Sequence, residues 1–177
     1  MTAIESKTPW HLRGNWAPVQ DELLEDQLIV EGTIPSELEG VYIRTGPNPQ
    51  SGSSPHWFMG DGMVHGVRLS QGKAEWYKNR FVQTPNITEP EADPMSGLGD
   101  LSRGNANTHV VAHAGKILCL EEGHWPWEID GELNTIGVEN YAGNLATSMG
   151  IDPNEAPDFL KKDYRAVMKA IDKKKGN

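Results

Sequence analysis

Short segments in which apolar and polar residues alternate are the main feature of this sequence. Val41, Ile43 and Thr45 alternate with Tyr42 and Arg44, and this period of two predicts a strand with one buried face. The 19 Gly and 12 Pro are spread along the chain instead of clustering, which is typical of many short strands joined by turns. We therefore predict an all-β fold.

Two hairpins are predicted in the middle of the chain. Gln71-Gly72 lies between the strand-like segments VHGVRLS and AEWYKNRFV, and glycine tolerates the positive φ of a tight turn. Ala114-Gly115 forms the tip of a second hairpin over residues 108–123. Together they predict a meander of antiparallel strands.

Three further segments flank these hairpins. Residues 26–34 form a short apolar segment that Pro35 ends, and WFMG at 57–60 is interpreted as another strand. Residues 85–107 contain three prolines and several glycines without periodicity. Loops of this length are usually functional or disordered, so we predict a long surface loop there.

The C-terminal part has a different pattern, and we divide the chain into residues 1–143 and a divergent tail, 144–177. Residues 156–175 have the spacing of an amphipathic helix. Residues 155–177 hold 7 basic and 4 acidic groups, net +3, so the first 154 residues hold 9 and 21, net −12. A solvated helix end explains this charge most simply, and a basic docking tail is the alternative. The apolar positions are Phe159, Leu160, Tyr164, Val167, Met168 and Ile171.

Charge and cysteine content exclude several classes of function. The 177 residues include 16 basic and 25 acidic side chains, a net charge of −9, which disfavours binding to nucleic acid or anionic lipid. Cys119 is the only cysteine, so an intramolecular disulfide is impossible and a cytoplasmic location is expected. The apolar runs are far shorter than the ~20 residues of a spanning helix, so no transmembrane segment is predicted.

Histidines are the obvious metal-ligand candidates in a chain with one cysteine. His109 and His113 lie on a predicted strand, where four residues span about 13 Å, too far for a shared ion. His56 and His65 flank a turn whose simpler interpretation is structural: Asp61 accepts backbone N–H groups, Gly62 supplies a positive φ, and His65 is a hydrogen-bonded strand residue. The six histidines are His11, His56, His65, His109, His113 and His124.

Glutamates and tryptophans follow the second hairpin. Glu121 and Glu122 end the ILCL strand and are either solvent-facing charges or a carboxylate that orients a metal-bound imidazole. Trp125 and Trp127 either line an apolar pocket or cover the sheet, and core packing is the default. GDGMVHG is the string nearest to a phosphate-binding loop, but it lacks the helix that must follow, which disfavours nucleotide chemistry.

Four ordered blocks of sequence resemble the N-terminal part of the carotenoid cleavage oxygenase family, which includes the lignostilbene dioxygenases. The blocks contain GPNP, WFMGDGMVH, KNRFVQT and NANTHVVAHAGKILCLEEG, with Met59 at a position that is often acidic in the family. The blocks lie at 17–50, 56–69, 78–84 and 104–130.

The resemblance implies a seven-bladed β-propeller with a non-haem Fe(II) held on its axis by four histidines, which three glutamates support. Family members cleave a conjugated C=C bond of a carotenoid, apocarotenoid or stilbene with O₂, and a few isomerise their substrate instead. Glu122, at the family's strand-end Glu-Gly motif, is the residue that the resemblance assigns as a supporting glutamate. Glu121 takes that place if the register shifts by one.

The sequence departs from the family pattern after Gly143. Family members continue into a T-A-H-P-K-x-D-P motif whose histidine is the first iron ligand, whereas this chain reads AGNLATSMGIDP at 142–153, and no histidine follows His124. We assign no catalytic residue or metal ligand, and expect a truncated chain holding only the first blades, which binds no Fe(II) and is inactive alone. The alternative is a non-catalytic β-rich binding module with a basic helical tail. In either case we expect self-association through unpaired strand edges.

Overall fold

Two four-stranded antiparallel sheets make up the part of the chain that the computed structural model describes, residues 8–90 and 100–141. The prediction of an all-β fold is confirmed for these residues. The first sheet has the strand order β1-β4-β3-β2 and the second the order β5-β6-β7-β8. The strands are β1 Leu24–Glu25, β2 Gly40–Pro47, β3 Gly62–Ser70, β4 Lys73–Phe81, β5 His109–His113, β6 Lys116–Leu120, β7 Trp127–Ile129 and β8 Thr135–Val138.

Helical structure in this part of the chain is short. Two 3₁₀ turns, Trp10–Leu12 and Gly14–Trp16, precede β1, and one α-helical turn, α1, covers Pro85–Thr88. No helix among the described residues is long and apolar enough to cross a membrane. The predicted helix at 156–175, with the whole tail from residue 144, lies outside the described residues.

Both predicted hairpins are confirmed, and their turns have the expected backbone conformation. Gln71 and Gly72 have φ of 48° and 74°, and Ala114 and Gly115 have φ of 49° and 80°. Positive φ at both central residues matches the right-handed twist of the flanking strands. The hairpins pair β3 with β4 and β5 with β6.

Two predictions about the connecting segments are wrong. Residues 57–60 form no strand, and Phe58 is exposed. The segment 85–107 is only partly a surface loop, because it begins with α1 and its last residues enter the core: Ala106 and Asn107 are buried. The two segments contact each other instead: Asn107 donates to the carbonyls of Phe58 and Gly60.

The core lies between the two sheets. Val64 and Val82 of the first sheet region pack in one cluster with Cys119 and Ile129 of the second. Trp127 belongs to the same cluster, so core packing is confirmed for it. Burial raises the pKa of Cys119 to about 12, so its thiol stays protonated and unreactive near neutral pH.

Candidate functional site

Three of the sequence motifs meet where the two sheets join. The motifs are GPNP at 46–49, GDG at 60–62 and NANT at 105–108. The amide of Asn48 donates to the carbonyl of Asp61 at 2.7 Å, and the amide of Gly62 donates to the carbonyl of Asn105 at 2.8 Å. We call these three segments the motif junction.

Close backbone approach explains two glycines of the motif junction, Gly60 and Gly62. A Cβ at Gly62 would lie 2.5 Å from the carbonyl oxygen of Ala106 and 2.6 Å from that of Asn105, and a Cβ at Gly60 would lie 2.7 Å from the amide nitrogen of Asn48. The predicted positive φ at Gly62 is therefore wrong, since its φ lies outside the left-handed region. The prediction for Asp61 is confirmed, because its carboxylate accepts the amide of Gln50 at 2.8 Å.

Asn107 ties the motif junction together from inside. Its buried Nδ2 donates to the carbonyls of Phe58 and Gly60 at 2.9 and 2.6 Å. The hydroxyl of Thr108 lies 3.2 Å from Oδ1 of Asn107 and 3.0 Å from Oε2 of Glu122. One hydroxyl proton serves one of these acceptors at a time. A continuous polar chain therefore runs from the buried amide to the carboxylate of Glu122 at the surface.

The two candidate glutamates have different surroundings. Oε2 of Glu121 accepts the amide of Asn105 at 2.9 Å and lies 2.8 Å from Nδ1 of His124. A Cβ at Gly104 would lie 2.6 Å from the same oxygen, so the carboxylate of Glu121 is packed into the loop that enters the core. Glu122 is exposed, and Thr108 is its described hydrogen-bond partner. Among the described residues, Glu122 thus faces solvent, whereas Glu121 is partly buried.

The histidines of the two hairpins lie on strands. His109 and His113 lie on β5, as predicted, and both are exposed. His65 is a hydrogen-bonded strand residue, also as predicted: its Nδ1 lies 2.8 Å from the hydroxyl of Tyr77. Burial, with a smaller contribution from the nearby charge of Arg44, lowers the pKa of His65 to about 4.

The remaining histidines contact loops. Nε2 of His11 lies 3.2 Å from the carbonyl of Ser54, and Nδ1 of His56 accepts the amide of Phe58 at 3.3 Å. Among residues 8–90 and 100–141, no three His, Cys, Asp or Glu side chains come together in a way that could hold a metal ion. The described residues therefore do not fit the four-imidazole iron site that the resemblance implies.

Two clusters of side chains were not predicted. Nζ of Lys116 lies 2.5 Å from Oε2 of both Glu128 and Glu139. These hydrogen bonds raise the pKa of Lys116, and the bond from Lys116 lowers that of Glu139. Strand pairing places β6 beside β7, and no sequence pattern signalled the contact.

The second unpredicted cluster is aromatic. The rings of Trp10 and Trp57 stack at 5.1 Å between centroids, and Trp16 meets Trp57 edge-on at 4.6 Å. Trp10 and Trp16 remain more than half exposed. The recurrence of tryptophan before β1 is the one sequence signal that could have indicated this cluster.

Comparison with known proteins identifies the class to which this arrangement belongs. The family model described as retinal pigment epithelial membrane protein matches residues 16–158. The chain is 41% identical over 163 residues to a carotenoid cleavage oxygenase of Mycobacterium tuberculosis, which covers 88% of this chain and 32% of the relative. It is 35% identical over 190 residues to carotenoid 9,10(9',10')-cleavage dioxygenase 1 of Arabidopsis thaliana, which covers 86% of this chain and 35% of the relative.

Solved structures agree with the sequence relatives. Pseudomonas brassicacearum lignostilbene dioxygenase superposes with a TM-score of 0.64 and 28% identity, over 77% of this chain and 32% of that one. A cobalt-substituted Synechocystis apocarotenoid oxygenase superposes with a TM-score of 0.60 and 27% identity, over 73% of this chain and 31% of that one. The chain therefore belongs to the retinal pigment epithelial membrane protein family, which includes the carotenoid cleavage oxygenases. It spans about a third of the length of the relatives it matches.

The lowered pKa of His65 leads to a prediction about acid stability. The folded chain resists protonation of His65 down to about pH 4, whereas an unfolded chain takes up the proton near the ordinary value of 6.5. The free energy of unfolding therefore decreases as the pH falls from about 6.5 to about 4. We expect His65→Gln to reduce this decrease by about 1 kcal/mol. This value is smaller than the full pKa shift would give, because the ring is partly exposed.

NMR titration of the His65 ring, assigned with the His65→Gln variant, measures the pKa directly. Denaturant unfolding of both proteins across the same pH range measures the change in stability. A titration midpoint near 6.5 would contradict the prediction.

Proposed function

We propose that this chain forms blades of a seven-bladed propeller that, when complete, is an Fe(II)-dependent oxygenase. Its substrate would be a carotenoid, apocarotenoid or stilbene, whose conjugated C=C bond is cleaved with O₂ to give two carbonyl products. Membership of the family over residues 16–158 carries this proposal. The names of the relatives, a carotenoid cleavage oxygenase and a lignostilbene dioxygenase, support the substrate class.

Glu122 is the residue that we propose to support the iron site. It would accept the free N–H of an iron-binding imidazole that another part of the complete propeller supplies, and so fix the orientation of the ring. Two observations support Glu122 over Glu121. The carboxylate of Glu122 is exposed at the end of β6 and contacts Thr108, whereas packing against Asn105 and His124 occupies that of Glu121. A complete oxygenase whose Glu122→Gln variant kept full iron affinity and turnover would exclude this role.

For the present chain alone we propose that iron is not bound and that no cleavage occurs. The described residues lack a group that could hold a metal, and the sequence contains no histidine after His124. Anaerobic reconstitution with Fe(II), followed by metal analysis and an assay with an apocarotenoid and a stilbene, is expected to give far less than one iron per chain and no product. A lignostilbene dioxygenase treated in parallel is the positive control. Stoichiometric iron together with turnover would contradict the proposal.

The alternative function is a non-catalytic binding module that self-associates. Within residues 8–90 and 100–141, β2 and β8 each pair on one side only, and Ile136 on β8 is exposed. Unpaired edges of this kind favour pairing between chains. Size-exclusion chromatography of the same preparation tests this, and a monomer at all concentrations would exclude self-association. The single reduced, buried cysteine, Cys119, supports a cytoplasmic location in either case.

A further inference from the structure

The segment that runs between the two edge strands of the first sheet, β1 and β2, carries an unusual combination of acidic and exposed apolar residues. Residues 21–39, which we call the acidic rim, contain seven Asp or Glu and no Lys or Arg. Five of their apolar side chains are exposed, and Ile29 is 93% exposed. Single exposed apolar residues are ordinary, but several in one short segment mark an interaction surface. The exposed apolar residues are Leu23, Leu24, Ile29, Val30 and Leu38.

The acidic rim is held in place at both of its ends. At the first end, Leu24 and Glu25 pair with β4, and the buried side chain of Asn79 donates to the carbonyl of Asp21 at 2.9 Å. At the other end, the carboxylate of Glu39 accepts the amide of Gln71 at 2.8 Å. The residues between them, 26–33, pair with no strand. The acidic rim is therefore attached to the first sheet at both ends, while its middle stays outside the strand ladder.

Four carboxylates of the acidic rim are unused, that of Asp21 and those of Asp26, Glu31 and Glu37. Glu22 and Glu25 accept backbone amides of the described chain. Asp26, Glu31 and Glu37 make no hydrogen bond or ion pair with any residue in the described ranges, and all three are exposed. Free carboxylates on both sides of Ile29 in the sequence suit a partner that combines cations with apolar side chains.

The chain itself contains a segment with this chemistry. Residues 156–175 place apolar side chains at helical spacing and contain seven Lys or Arg against three Asp or Glu. The family-model match ends at residue 158, so most of this segment lies beyond that match. The 15 residues from Tyr141 to Ala156 can span up to about 50 Å, which allows the segment to reach either sheet.

We propose that residues 156–175 dock on the acidic rim of the same chain. Lys and Arg of the segment would meet Asp26, Glu31 and Glu37, while its apolar positions cover Ile29 and its exposed neighbours. The balance of +3 in residues 155–177 against −12 in the remaining chain favours the association. This proposal is independent of the iron chemistry proposed above.

Zero-length carbodiimide cross-linking of the full chain, read by mass spectrometry, tests the docking. We expect amide links between rim carboxylates and segment lysines in the monomer, with a yield that does not change with protein concentration. In about 1 M salt, where charges more than ~3 Å apart are screened, the yield should fall several-fold. Reversal of the rim charges should abolish the links, and additional reversal of the segment charges should restore them. The variants are Asp26→Lys, Glu31→Lys and Glu37→Lys on the rim, and Lys161→Glu, Lys162→Glu and Lys169→Glu on the segment.

A matched pair of apolar variants tests the contact with Ile29. Ile29→Ser should lower the yield of links several-fold, whereas Ile136→Ser, at an exposed isoleucine on β8, should leave it unchanged. Circular dichroism would establish that every variant retains its β-sheet. Links spread evenly over carboxylates outside the acidic rim would overturn the proposal. So would links that form only between copies of the chain, or charge reversal on both partners that fails to restore the links.

Discussion

Replacing Gly62 by alanine is expected to lower the free energy of unfolding by about 3 kcal/mol. The added methyl group would lie 2.5 Å from the carbonyl oxygen of Ala106 and 2.6 Å from that of Asn105. These are backbone atoms, and the hydrogen bond from the Gly62 amide to Asn105 holds them in place. Relief of the clash requires the chain before β5 to move away from the first sheet. Urea unfolding followed by circular dichroism measures the change.

Gly46→Ala is the matched control for this substitution. Gly46 lies on β2 opposite Met63, one residue from Gly62 in the neighbouring strand, and a methyl group added there would have no heavy atom within 4 Å beyond its chain neighbours. Its replacement should change stability by less than about 0.5 kcal/mol. An equal loss in both variants would mean that glycine flexibility, and not close approach, explains Gly62.

Replacing Asn107 by alanine is expected to cost about 2–3 kcal/mol. Its amide group is the hydrogen-bond donor to the carbonyls of Phe58 and Gly60, and its removal leaves these acceptors at a site from which water is largely excluded. The turn before β3 would then lose its attachment to the segment before β5. Thermal and urea unfolding of the variant measure the loss.

Asn107→Asp separates hydrogen bonding from packing. Aspartate has nearly the shape of asparagine and keeps an acceptor for Thr108, but it has no amide protons to donate. We therefore expect a loss of stability at least as large as that of Asn107→Ala at neutral pH. If Asn107→Asp retained the stability of the native chain, the two hydrogen bonds would not be the source of the effect.

The motifs that indicated the family have a structural role in the described residues. GPNP, GDG and NANT lie far apart in sequence, yet their described contacts are those of a structural joint between two sheets. The joint ends at Thr108 and Glu122, where the polar chain reaches the surface. Within these motifs, the tight backbone crossing excludes larger side chains at Gly60 and Gly62.

Interactions between near neighbours in the chain were sufficient to predict the two hairpins from the sequence. Gln71-Gly72 and Ala114-Gly115 adopt positive φ because of interactions within a few residues, so the turns and the strands beside them were predicted correctly. The strand at 40–47 was also predicted from the sequence, because its alternation of apolar and polar residues matches one partly buried and one exposed face. The sequence alone also excluded an intramolecular disulfide, since Cys119 is the single cysteine, whereas the inertness of its thiol follows from burial.

Contacts between distant segments determined the features that the sequence did not predict. The sequence could not show that Gly62 faces two carbonyls of another segment, or that the neighbouring Glu121 and Glu122 have opposite surroundings. It also did not show that residues 57–60 serve as acceptors for Asn107 instead of forming a strand. Periodicity and turn preference report interactions between near neighbours, whereas steric exclusion, burial and hydrogen-bond pairing at this joint arise only when the two sheets come together.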